Sequence, residues 1–237
     1  MFRLRAVLVG TQAFAAYGPL LGVRLGRALQ QTMDVDVAQT PDVSVAVQDR
    51  LDLPLEETLQ RVDPGFAAIP GLDPREPPWR FAAPPGLRLE VLTTRRGRGG
   101  RGGVVPLPAL QAGGQVLDFL DFTLRDPVPA VVLHGTGIPV LVPDPARYAV
   151  HKLIVSVRRK DLAQAKSAKD VAQAAALVEV LAADRPDYLV AAWEEAWARG
   201  MAWRRALEEG ATRLPAATRG LLPIPAPRPA APAAGKA

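Results

Sequence analysis

The chain has 237 residues, of which 49% are hydrophobic and 22% charged, a balance that suits a folded domain of moderate size and excludes a largely disordered chain. Lys and Arg number 29 against 24 Asp and Glu, a net charge of +5 that suits a phosphate-bearing partner without requiring one. With no Cys, disulfides and thiolate metal sites are excluded; with only 2 His, a His-built metal site is a poor expectation, and a reducing cytoplasm is the expected compartment.

In chain order, Leu4 to Val9 is a short apolar run rich in branched residues and reads as a buried strand. It breaks at Gly10-Thr11, and Gln12 to Tyr17 opens a helix. Gly10-Thr11-Gln12 also cuts the apolar run too short for a secretory leader. No later segment offers the ~20 uninterrupted apolar residues of a membrane span, so a soluble protein with no membrane contact is expected. A strand, a Gly with a hydroxyl residue, then a helix brings free backbone N–H groups and the positive dipole end together, a cradle for phosphate oxygens or an ordinary turn. Gly18 to Gln30, with Gly18-Pro19 and Gly22, predicts a loop or broken helix, with Arg24 and Arg27 solvated or reaching a triphosphate.

Thr32-Met33-Asp34-Val35-Asp36-Val37-Ala38 follows. In a strand, Asp34 and Asp36 share one face while Val35 and Val37 enter the core. Like charges that close repel unless a cation sits between them. A hard divalent ion resolves this and brings phosphate substrates with it; the plain alternative is a solvated strand edge. Pro41 to Leu59 is helical, with a new start at Leu53-Pro54. Residues 65–78 are an extended connection, and Trp79 to Phe81 a strand. Leu87 to Thr93 alternates cleanly, with Glu90 opposite Leu89 and Val91. Arg95 to Gly103 is a basic, Gly-rich loop suited to an RNA backbone, or simply an unconstrained loop. Val116 to Leu124 is a short helix or strand. Ala130 to Leu133 and Ile138 to Val142 form a hairpin with His134 at its tip.

Pro145 starts a helix that runs to Val157 and closes at Arg158 to Asp161. Lys166 to Ala182 is amphipathic, with Val171, Ala175, Val178 and Leu181 on its apolar face and Lys169 and Asp170 near its start. Further helices carry Trp193, Trp197 and Trp203. Past Pro215 the Pro/Ala-rich tail lacks any core-forming pattern and is expected to be disordered.

A strand ending in Gly-Thr, a helix, then a strand with Asp-x-Asp resembles the DNA polymerase β-like nucleotidyltransferase superfamily. The later stretch, Asp144-Pro145-Ala146-Arg147-Tyr148-Ala149-Val150-His151-Lys152-Leu153, then Ser156, Arg158, Lys166, Lys169-Asp170 and Gln173, resembles a bacterial and archaeal nucleotidyltransferase family. It is also similar in plan to the toxin nucleotidyltransferases of abortive-infection systems. The resemblance covers roughly residues 1 to 205. It implies an α/β (α+β) fold with a small mixed sheet: a catalytic core over 1–143, a helical part over 144–214 that completes the nucleotide site, and a tail over 215–237. It further implies Asp34, Asp36 and Glu90 as ligands of Mg²⁺ or Mn²⁺, and Asp170 as a fourth catalytic residue. Gly10, Thr11, Thr32, Lys152 and Arg158 are then the contacts of an NTP donor. Related enzymes often carry an Arg four residues ahead of the first Asp, where this chain has Gln30. They also often carry sequence ahead of the first strand, so a substrate-choosing segment is expected to be missing here.

The expected activity is metal-dependent transfer of an NMP unit from an NTP to a hydroxyl of RNA, tRNA among them, of a protein or of a small molecule, releasing pyrophosphate. A toxin-like role follows only by analogy. Two other readings stay open: a non-catalytic RNA-binding protein working through the Arg-Gly loop, and a module that senses a nucleotide without turning it over.

Overall fold

A computed structural model describes residues 1–26, 32–95, 102–159 and 164–224. Arg27 and Gln30, positions 96–101 of the basic loop, Lys160 and Asp161, and the chain from 225 onward lie outside the described residues.

The first half builds a mixed seven-stranded sheet from β1 (Val7–Val9), β2 (Asp34–Ala38), β3 (Ala67–Ala68), β4 (Arg80–Ala83), β5 (Leu87–Thr93), β6 (Val104–Leu107) and β7 (Ala112–Val116). β2 lies between β1, which runs antiparallel to it, and β5, which runs parallel. The other edge of β5 is shared, with β4 antiparallel along its first half and β7 parallel at its end. The hairpin of β8 (Val128–Val132) and β9 (Ile138–Val142) forms a second sheet that packs on β1 and on α1 (Gly10–Leu21). Short helices α2 (Pro41–Ala46), α3 (Leu55–Gln60) and α4 (Leu120–Thr123) fill the connections.

The second half is helical: α5 (Pro145–Arg158), α6 (Gln164–Asp184), α7 (Pro186–Ala198), α8 (Met201–Thr212) and α9 (Ala216–Arg219). Asp144 caps α5 by accepting from the N–H groups of Ala146 and Arg147 at 2.9 and 3.1 Å, and Pro145 occupies the first turn, where its missing N–H costs nothing. α5 is the hub and touches α4, α6, α7 and α8. At Gly210 a Cβ would stand 2.6 Å from the Leu153 carbonyl oxygen, so glycine is what lets α8 close on α5. One apolar cluster runs from Leu4 on the sheet side to Leu222 beyond α9, so both halves share a core.

Several sequence expectations shift. Residues 18–21 finish α1 where a loop or broken helix was expected: Pro19 lies in the last turn, and Gly22, left-handed at φ 69°, returns its N–H to Gly18 and Pro19. β6 and β7 carry no strand signal because Pro106 and Gly113-Gly114 interrupt them. Those glycines are packing positions, since a Cβ on Gly113 would meet the Pro77 backbone and one on Gly114 the Thr93 side chain. On α6 the deeply buried face is Asp170, Gln173, Ala174, Leu177, Val178 and Leu181, with Val171 and Ala175 only half-buried. Residues 215–224, expected as the start of the disordered tail, are folded instead. Residues 216–219 form α9, whose Thr218 hydroxyl donates to Glu179 Oε1 at 2.6 Å, and Leu222 is buried.

Candidate active site

Register sets the acids. β2 and β5 pair in parallel with Asp34 opposite Arg88 and Asp36 opposite Glu90, and partner residues of neighbouring strands project to the same face. Asp34, Asp36 and Glu90 therefore share one wall. β1 pairs with Val9 opposite Asp36, which brings the next residue, Gly10, against the same carboxylate. Gly10 is left-handed at φ 63°, and a Cβ there would collide with Asp36 Oδ2. The glycine expected to admit a phosphate to the main chain thus also makes room for Asp36 itself.

Burial, then repulsion from Glu90 and Asp34, lifts the Asp36 carboxyl from 3.8 to about 6, against the partial relief of Lys152 and Lys166. Lys166 Nζ stands 3.7 Å from Asp34 Oδ2. A donor set of three carboxylates, with one held up by its neighbours, suits a hard divalent cation in kind and in charge. Among the described residues, however, no group of three or more His, Cys, Asp or Glu is already arranged as a metal site, so the acids share a wall without closing on one point.

The wall belongs to a cleft of about 580 Å³, within the range of a small-molecule site. It gathers all of the sequence-selected residues: Gly10, Thr11, Thr32, Asp34, Asp36, Glu90, Lys152, Arg158 and Asp170. Gly10 and Thr11 open α1, where Val9 offers no capping side chain and the first turn carries no acid, so the N-terminal N–H groups and dipole meet the cleft with Asp36 of β2 as the neighbouring carboxylate. The Thr32 hydroxyl is occupied locally and accepts the Asp34 N–H at 3.0 Å. Arg158 is exposed at the rim, 3.5 Å from Asp118 Oδ2 and over the Phe119 ring.

Asp170, expected as a fourth catalytic residue, lines the cleft with its carboxylate already engaged. It is 3% exposed, with Lys152 Nζ donating to Oδ1 at 2.6 Å and Arg159 Nε donating to Oδ2 at 2.6 Å. With both oxygens engaged by cations, it holds the Lys152 ammonium in place. His151 lines the cleft as well. Burial and the adjacent Lys152 push its imidazole down to about 3, which keeps it neutral.

Two residues inside the motif received no part from sequence. The buried Tyr148 hydroxyl donates to the Gly10 carbonyl at 2.9 Å and lies 3.0 Å from the side-chain amide oxygen of Gln173. The available signal was spacing: Tyr148 is one turn before Lys152 on α5, and Gln173 one turn after Asp170 on α6.

A family model described as Nucleotidyltransferase matches residues 1–198. The chain belongs to that nucleotidyltransferase family. No curated protein matches it. The match makes the chain an enzyme of nucleotidyl transfer, and it spans both the acid wall and the helices opposite. Among the described residues of this nucleotidyltransferase, no helix is long and apolar enough to cross a membrane.

Proposed function

We propose that the enzyme moves an NMP unit from an NTP donor to a hydroxyl acceptor, in a polymerase β-like arrangement at this cleft, in the cytoplasm. The observation that carries the reading is the parallel β2–β5 register, which sets Asp36 beside Glu90 on the wall where Gly10 opens α1, with Lys152 across the cleft. Asp34, Asp36 and Glu90 would hold Mg²⁺ or Mn²⁺. Once bound, the ion supplies Lewis acidity to the phosphoryl oxygens and to the attacking hydroxyl.

The chain's own residues do the rest. N–H groups of the first α1 turn and the Thr11 hydroxyl hold the outer phosphates, and the Lys152 ammonium, steadied by Asp170, offsets their charge. The acceptor oxygen attacks the α-phosphorus while the bond to the bridging oxygen of the β-phosphate breaks, and pyrophosphate departs with that electron pair. The hydroxyl proton passes to the Glu90 carboxylate, the third acid of the wall. Three segments distant in sequence thereby hold donor, acceptor and proton acceptor in one orientation.

The test incubates the protein with α-labelled NTPs, Mg²⁺ or Mn²⁺, and separately RNA, protein and small hydroxyl acceptors. Label should move to one acceptor class and release pyrophosphate. No transfer by the wild type with any donor, or equal transfer by Asp36→Asn, rejects the reading.

A further inference from the structure

Two side-chain pairs join α5 to α6, beside the bond that the Ser167 hydroxyl donates to the Ser156 carbonyl. Lys152–Asp170 is one; Tyr148–Gln173 is the other, one turn away on both helices. Tyr148 is 1% exposed, Gln173 0%, Lys152 7% and Asp170 3%. The second pair does not stop at α6, because the same Tyr148 hydroxyl reaches across to the Gly10 carbonyl on the sheet side.

The geometry points to Tyr148 as a positioning residue for the phosphate cradle, holding the Gly10 peptide so that the first N–H groups of α1 face the cleft. The inference rests on the transfer reading above, since the cradle's ligand is the triphosphate of that reaction.

Gly10 needs an external hold. Its left-handed backbone lies outside helical geometry, and as glycine it contributes no side chain to lock the turn. Its neighbour Asp36 leaves no room for a Cβ there, so only glycine fits the turn. Tyr148 supplies the hold from a rigid seat, stacked on Phe14 at 6.4 Å and edge-on to Tyr17 at 5.1 Å between ring centroids. Burial and the nearby Asp170 and Asp36 carboxylates keep its phenol protonated, hence a donor, well beyond physiological pH. A phenol has one hydrogen and here two oxygens within reach, so Gln173 sets how fully that hydrogen is committed to Gly10. α6 also carries Lys166 and Lys169 into the cleft, so this one hydroxyl ties the cradle to the helix that brings the cations.

The test compares wild type, Tyr148→Phe and, as a control, Tyr188→Phe, whose ring is exposed on α7. Steady-state kinetics with varied NTP, direct calorimetric titration with a non-hydrolysable NTP, and thermal melts are run on the full chain. For Tyr148→Phe, loss of one buried hydrogen bond predicts an NTP KM, and a Kd, raised about tenfold, with kcat falling by less than that factor. Its melting curve should stay close enough to wild type that the protein is fully folded at the assay temperature. Unchanged KM and Kd, or equal changes in Tyr188→Phe, overturn the assignment. So does a loss of activity that disappears once rates are scaled to the folded fraction. If the wild type binds NTP but transfers nothing, the transfer reading fails while the Kd ratio still decides the part given to Tyr148. If it binds none, both fall.

Discussion

On the sheet wall of the cleft, Asp34, Asp36 and Glu90 stand on adjacent strands with their repulsion only partly relieved, and burial with that repulsion lifts Asp36 to about 6. On the helical wall Asp170 is deeply buried yet has a cation at each oxygen, Lys152 and Arg159, both at 2.6 Å. The first wall keeps a like-charge conflict, which the proposed divalent cation would relieve; the second resolves its conflict internally and becomes a fixed support. Acids that look equivalent in sequence thus divide by partner into groups whose charge is only partly met and a group whose charge is fully met.

Removing a carboxylate from each wall should therefore give opposite results. Asp36→Asn should lower nucleotidyl transfer by about a thousandfold or more, the scale seen when a group that stabilises transition-state charge is lost, while the folded protein melts no lower than wild type. Transfer assays and melts on one preparation measure both. A variant that loses activity because it unfolds would erase the distinction between the walls. Asp170→Asn should do the reverse in kind and lower stability first. It leaves the Lys152 ammonium buried without its counter-charge, a loss of about 3 kcal/mol. Denaturant melts read this directly, and a change under 1 kcal/mol would mean that the pair is not the support described.

How much of this was legible in the chain follows the range of the forces involved. Asp34-Val35-Asp36-Val37 and Leu87 to Thr93 declare strands by alternation, and Asp144-Pro145 declares a helix start, because side-chain direction and capping are local. The resemblance brought Glu90 into the set, but no local signal could state that it pairs with Asp36. That register joins strands some 50 residues apart and is fixed by which side chains the core accepts. The satisfied state of Asp170 was equally hidden. An acid in the first turns of a helix reads as a dipole partner, and only the packing of α6 on α5 brings Lys152 and Arg159 onto it. Tyr148 was visible as a motif letter and silent as chemistry, since its partner Gly10 lies 138 positions away.

The stored conflict also predicts a pH signature. Asp36 has its folded value raised from 3.8 to about 6, so the native state binds the extra proton in that interval. Stability relative to Asp36→Asn should be equal below about pH 4, fall progressively between 4 and 6, and stay low above 6. The shift of roughly two units sets an upper bound on the order of 3 kcal/mol, which solvent at the cleft reduces. Mg²⁺ or Mn²⁺ at pH 8 should raise the melting temperature of the wild type and leave Asp36→Asn nearly unmoved, and chelation should reverse the gain. Parallel pH curves for the two proteins would show that the acids are already at peace.

The smallest effect concerns the lysine that leans toward the acids from α6. Lys166 is exposed, and its ammonium is 3.7 Å from Asp34 Oδ2, so Lys166→Ala should change stability by less than about 0.5 kcal/mol, as screened surface pairs do. Its field nevertheless lowers the Asp36 value, so removing it should move that carboxyl further up from about 6. A carbon-detected NMR titration of the Asp side chains reads the shift without reference to activity. The change should shrink with added salt, because this cation acts across solvent, whereas the buried Lys152–Asp170 pair should be insensitive to the same salt. Equal salt response from the two lysines would collapse the contrast between the walls into ordinary surface electrostatics.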